Sequence, residues 1–200
     1  MLERDCVPNE NAQNTNTFYL VGLPTGRVLQ LATRLQHRIA HEQELYDPPY
    51  PSLHITVSVF STHHNDEFRR ANRLIECITQ NVPPIEIQVT GAQCFHEPKR
   101  SLNLAVEENR ELRKLAGEIN DALNHHSIEA EDMSTWDFHI TLINSRYTKR
   151  EWCRSEFKAA CRLMEQENLS ATCHIHHLEL WSPEFPPLKV LNTFPLQGRR

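Results

Sequence analysis

No run of apolar residues in this chain approaches the ~18 that a membrane helix needs, so no membrane-spanning segment is expected. The stretch from Met1 to Asn16 is polar, without a basic start leading into an apolar core. No secretory signal is therefore expected, and a cytoplasmic protein is. Positive charge is also short: 21 Lys and Arg against 26 Asp and Glu leave a net charge of −5. A protein that coats long nucleic acid usually carries a basic stripe to displace counterions. If this chain handles nucleic acid, a terminus, a nucleotide or a short oligomer in a local pocket fits it better. Its six cysteines (Cys6, Cys77, Cys94, Cys153, Cys161, Cys173) are widely spread and contain no C-x-x-C pair. Buried, reduced thiols are expected rather than a disulfide framework. Nucleophile elbow, phosphate loop and zinc-hydrolase motif are all missing. His37 and His41 lie one helical turn apart but lack the neighbouring glutamate of a zinc-protease helix.

What is present is an ordinary globular composition, 39 % hydrophobic and 24 % charged over 200 residues. That length holds one large domain or two small lobes with real cores. Residues 1–16 are expected to be a disordered leader. Thr17–Leu23 is a short apolar strand stopped by Pro24. From Gly26 to about Leu45, Val28, Leu31, Ala32, Leu35 and Ile39 recur at helical spacing. Asp47-Pro-Pro-Tyr-Pro51 breaks that helix. A strand over 52–60 puts Leu53, Ile55, Val57 and Val59 on one face and His54, Thr56 and Ser58 on the other. A helix over 65–80 and an alternating strand, Ile85–Val89, follow.

Ser101–Val106 is another strand, with a helix over 109–124 and a polar loop from His125 to Thr135. The next strand places Phe138, Ile140 and Leu142 on one face and His139 and Thr141 on the other. Thr148-Lys-Arg-Glu151 has the form of a capping box and should open a helix to about 166. One long strand over 172–181 and a last one near 188–195 complete the chain. The order strand, helix, His strand, helix, strand occurs twice, with a nearly constant offset. We read an internal duplication: an α+β fold of two lobes, about 17–97 and 98–200, within one bilobal domain, 17–200. A pseudo-twofold axis would set antiparallel sheets around a central cleft, with helices outside.

The tripeptide His-Ile-Thr occurs at His54-Ile55-Thr56 and again at His139-Ile140-Thr141, 85 positions apart. A single strand histidine is usually structural. Two copies in matched places of a repeat point to a paired site, because a spacing of two keeps each His and Thr on one face. Histidine titrates near neutrality, at about 6.5 when unperturbed. One imidazole can take a proton from an attacking water while the other, protonated, gives one to the leaving oxygen, each role worth about 10²–10⁴-fold in rate. The threonine hydroxyls can donate to the non-bridging oxygens of a phosphoryl group. That chemistry needs no metal or cofactor.

On these two motifs, His54-Ile-Thr56-Val and His139-Ile-Thr141-Leu, the chain resembles the 2H phosphoesterase superfamily of 2′,3′-cyclic phosphodiesterases and 2′-5′ RNA ligase-like proteins. The resemblance implies a bilobal α+β fold from about Thr17 to Leu196. It implies metal-independent hydrolysis of 2′,3′-cyclic phosphates or 2′-5′ linkages in nucleotides or short RNA. His54 and His139 would be the acid/base pair and Thr56 and Thr141 the phosphate clamp. Tyr50, Arg100 and Arg146 are candidates to assist the clamp. No long basic loop of the kind that grips a tRNA is visible, which counts against tRNA as the substrate and against the ligase label. A monomer is expected. Two other classes stay open: a non-catalytic binder of nucleotides or phosphorylated ends, and a metal-binding module on His174, His176 and His177.

Overall fold

The computed structural model describes residues 16–96, 100–183 and 187–198. The expected leader, except Asn16, and Cys6 lie outside the described residues. Nine strands and four helices are described: β1 Asn16–Gly22, α1 Gly26–Glu42, β2 Ile55–Thr62, α2 Asn65–Thr79, β3 Ile85–Phe95, β4 Ser101–Val106, α3 Arg110–His125, β5 Glu129–Ala130, β6 His139–Asn144, α4 Arg154–Glu165, β7 Ala171–Ile175, β8 His177–Trp181 and β9 Val190–Pro195. They form two antiparallel sheets, β5-β2-β1-β8-β9 and β6-β4-β3-β7, so the fold is α+β as expected.

The two sheets do not follow the two halves of the sequence. β3, from the first half, lies in the sheet of the second His strand, and β8 and β9 return to the sheet of the first. The helices cross as well. α1 leaves β1 and packs on β6 and β7, while α3 leaves β4 and packs on β2 and β5. The repeats are therefore interlocked rather than laid side by side.

The pseudo-twofold axis is visible in one strand pair. Ile85, Ile87 and Val89 of β3 pair antiparallel with Ile175, Cys173 and Ala171 of β7. These are the corresponding strands of the two repeats meeting each other. The helices that cross over are anchored there too. Thr25, before α1, donates its hydroxyl to the His174 carbonyl at 3.0 Å. Asn109, before α3, donates its amide to the Glu86 carbonyl at 2.7 Å, and its Oδ1 caps the Leu112 N–H at 2.8 Å. Glu86 and His174 are themselves register partners. Gly22, at the end of β1, has no room for a side chain, because a Cβ there would lie 2.7 Å from Ile175 Cδ1.

Several expected elements are re-cut. The single strand over 172–181 is broken at His176 into β7 and β8, which join different sheets. The polar loop 125–135 contains β5, which pairs with the outer edge of β2. The helix expected to open at Thr148 begins at Arg154. Thr148 instead closes a turn, its hydroxyl donating to the carbonyls of Ser145 (3.0 Å) and Arg150 (2.8 Å). The box function falls to Glu156, which accepts the Cys153 N–H at 3.0 Å. Arg150 beside it, with that N–H, holds the Glu156 carboxyl down to about 2. Nor are the thiols all buried and reduced. Cys94 on β3 and Cys161 on α4 form a disulfide, Cys77 and Cys153 are exposed, and Cys173 alone of the described free cysteines is buried.

Candidate active site

His54 immediately precedes β2 and His139 begins β6. Each histidine strand carries one extra residue just beyond its motif. Against β1, Ser58 faces Leu20 and Thr56 faces Val21, which leaves Val57 unmatched. Against β4, Ile143 faces Leu102 and Thr141 faces Asn103, which leaves Leu142 unmatched. Such a bulge turns the strand and re-aims the residues after it. The expected sharing of one face by His54, Thr56 and Ser58 fails for this reason. Ser58 is turned into the protein and is fully buried, while Val59 joins His54 and Thr56 in the cleft. On the other strand Asn144 takes the place of Val59.

Each bulge is held by a buried amide on the helix that crossed over. Gln36 of α1 donates Nε2 to the carbonyls of Leu142 (3.2 Å) and Pro51 (3.0 Å). Asn120 of α3 accepts the Ser58 hydroxyl at 2.6 Å and donates to the Glu131 carbonyl at 2.6 Å. A buried amide is tolerated only when its hydrogen bonds are made; here Gln36 makes them to backbone carbonyls and Asn120 to the Ser58 hydroxyl and the Glu131 carbonyl.

One cleft of about 480 Å³ is lined by both pairs, His54 with Thr56 and His139 with Thr141. The two rings are pinned alike. His54 Nδ1 lies 2.8 Å from the Ser52 carbonyl and His139 Nδ1 lies 2.6 Å from the Asp137 carbonyl. A carbonyl only accepts, so Nδ1 carries the proton in each and Nε2 is the nitrogen that can take or give one. Trp181 meets the His54 ring edge-on at 4.8 Å, and Phe95 meets His139 likewise at 5.0 Å. Trp136 also stacks on His139 at 5.9 Å. Tyr19, His96, Ser101, Glu131 and Tyr147 complete the walls.

The supporting candidates separate. Arg146 lines the cleft. Tyr50 stands in a neighbouring groove of about 510 Å³ with Trp181 and Val190, its ring tilted over His37 at 4.5 Å. Arg100 directs its guanidinium to the Trp152 carbonyl and is absent from the described lining of the cleft. The histidine tract does not assemble. The His174 and His176 rings are 6.0 Å apart, His177 lies 3.6 Å from Glu179, and no group of three metal-ligating side chains is gathered among the described residues. Sequence reasoning passed over Phe95 and the amides Gln36, Asn120 and Asn103. The repeat held a usable signal: Phe95 and Trp181 are 86 positions apart, and Gln36 and Asn120 are 84 apart within otherwise apolar helix stripes.

No curated protein matches the chain in sequence. Solved structures match its fold. TT0787 of Thermus thermophilus superposes with a TM-score of 0.69 at 14 % identity, over 92 % of this chain and 100 % of that one. E. coli LigT in apo form gives 0.63 at 12 % identity, over 92 % and 98 %, and LigT has also been crystallised with 3′-AMP (0.54, 14 %, 91 % and 98 %). The model of the AKAP7 2′5′ RNA ligase-like domain matches residues 16–180. Two histidine strands kinked alike around one cleft, in this fold and under this match, place the chain in the AKAP7 2′5′ RNA ligase-like family of the 2H phosphoesterase superfamily.

Proposed function

We propose that this protein is a phosphodiesterase that opens 2′,3′-cyclic phosphates or cleaves 2′-5′ linkages in nucleotides or short RNA. The observation that carries this is the matched setting of His54 and His139: same tripeptide, same bulge, same carbonyl on Nδ1, one shared cleft. One imidazole takes a proton through Nε2 from the attacking water as its oxygen bonds to phosphorus. The bond from phosphorus to the ribose oxygen breaks, and the other imidazole, protonated, supplies that oxygen with its proton. Thr56 and Thr141 lie beside the phosphoryl group, and Arg146 offsets part of its charge. These donors around the phosphoryl group take the place of a metal ion in this reading. The nucleotide complexes of LigT, with ATP, NADP⁺ and 3′-AMP, support a nucleotide as the ligand class.

The test is hydrolysis of 2′,3′-cyclic nucleotides, cyclic-phosphate-ended oligonucleotides and 2′-5′-linked dinucleotides in EDTA. Turnover with a bell-shaped pH dependence is expected, because one histidine works neutral and the other charged. Tight binding of a nucleotide across that panel with no product would mark a binder instead.

A further inference from the structure

Beneath the two threonines the cleft floor is not the same. Thr56 faces Val21 across the β1–β2 pair, an aliphatic side chain that offers no hydrogen bond. Thr141 faces Asn103 across β4–β6. Asn103 is fully buried. Its Nδ2 donates to the Gln93 carbonyl at 3.2 Å and to Ser101 Oγ at 3.1 Å. A carbonyl cannot donate, so the amide's orientation is fixed with Oδ1 on the Thr141 side. Thr141 Oγ1 lies 2.9 Å from that oxygen and gives it the hydroxyl proton. A threonine hydroxyl has one proton, so toward the cleft Thr141 then offers lone pairs. Pulling the proton away would strand a buried amide oxygen, a bias of about 5- to 150-fold. The next side chain across the sheet, Gln93, keeps its Oε1 buried and without a donor among the described residues.

We infer that Asn103 is a positioning residue that makes the two motifs unequal: it holds Thr141 as an acceptor for a hydroxyl or water, and leaves Thr56 as the donor to the phosphoryl oxygen. This rests on the phosphodiester reading for its substrate but not for its binding test. Inorganic phosphate and a nucleoside 3′-phosphate are titrated calorimetrically against wild type, Thr56→Val, Thr141→Val and Asn103→Val, with kcat and KM measured on a 2′,3′-cyclic nucleotide. Thr56→Val is expected to weaken phosphate binding about tenfold or more, and Thr141→Val less than about threefold. Asn103→Val is expected to keep or tighten phosphate binding while kcat falls about tenfold, a split that general loosening of the fold would not give. If Asn103→Val melts early, the threonine pair decides alone. Equal weakening by both threonine variants overturns the inference, as does an unchanged kcat in a folded Asn103→Val. Unequal phosphate binding with no turnover by wild type keeps it and removes the phosphodiesterase. No binding of phosphate or of the nucleoside 3′-phosphate by wild type overturns the inference, whereas turnover of the cyclic nucleotide alone decides the phosphodiesterase.

Discussion

The half of the molecule around His54 and the half around His139 have the same backbone plan and different fillings. Both histidine strands need something on their outer edge beyond the bulge. β2 receives it from backbone: β5 pairs with Phe60 and Ser61, and the Glu131 N–H donates to the Val59 carbonyl at 2.8 Å. β6 receives it from a side chain: the Tyr46 hydroxyl accepts the Asn144 N–H at 2.8 Å. His54 is 6 % exposed beneath Trp181, whereas His139 is half-buried between Phe95 and Trp136. The floor under Thr56 is aliphatic and the floor under Thr141 is an amide. Only the His139 half carries a covalent tie between sheet and helix among the described residues, Cys94–Cys161. The two halves thus share one backbone plan around the motifs and differ in the side chains packed against them.

The strongest way to break the contrast is at the histidines themselves. His54→Ala and His139→Ala should each lower kcat/KM on a cyclic nucleotide by about 10²–10⁴-fold, with little further loss in the double variant, because the two act in one step. Retained activity in either single variant would show that the pair does not act together. The aromatic partners sharpen it next. Trp181→Ala removes a side chain that is 1 % exposed and should cost about 3–5 kcal/mol in denaturant unfolding. Phe95→Ala, half-buried, should cost about 1–2 kcal/mol. Equal losses would mean that the two histidines are equally enclosed.

The cross-link comes third. Reduction of Cys94–Cys161, which spans 67 residues, should lower stability by about 2–4 kcal/mol. The loss should appear as a lower Tm in wild type with reductant and be absent in Cys94→Ser. The smallest effect concerns Tyr46. Burial pushes its hydroxyl up to about 12, with the Asn144 backbone bond opposing. A tyrosine in the unfolded chain titrates near about 10. The folded state therefore holds this proton longer than the unfolded one, and its contribution is complete below about pH 10 and lost as pH rises toward about 12. Melting curves between about pH 9 and 12 should fall more steeply for wild type than for Tyr46→Phe. At neutral pH that variant should lose about 1–2 kcal/mol, because the Asn144 N–H loses its partner.

Much of the fold was legible because periodicity survives any tertiary arrangement. The helix stripes of Val28, Ala32, Leu35 and Ile39 and of Leu112, Leu115, Ala116, Ile119 and Leu123 are buried as their spacing demands. The boundaries that failed did so for local reasons. Thr148 had the sequence form of a cap, but its hydroxyl found nearer carbonyls. The stretch over 171–181 is uniform in pattern, and only its two sets of partners break it at His176. Ser58 kept the strand alternation in sequence and lost it to the unmatched Val57. Arg146 reaches the cleft, while Tyr50 and Arg100 lie near the motifs in sequence yet are taken up by His37 and Trp152. Closeness along the chain does not fix where a long side chain finds its partner.

The sequence by itself determined the four helices and most of the strands, the repeat and the two tripeptides. Each of these is a local regularity that nearest neighbours along the chain enforce. The tertiary structure alone decided which half lends its strands and helices to which sheet, that both motifs open onto one cleft, and that an amide lies beneath one threonine and a valine beneath the other. Those outcomes depend on pairs far apart in sequence, Asn103 with Thr141 and Val21 with Thr56. Their contact energies exist only once the two repeats have closed on each other.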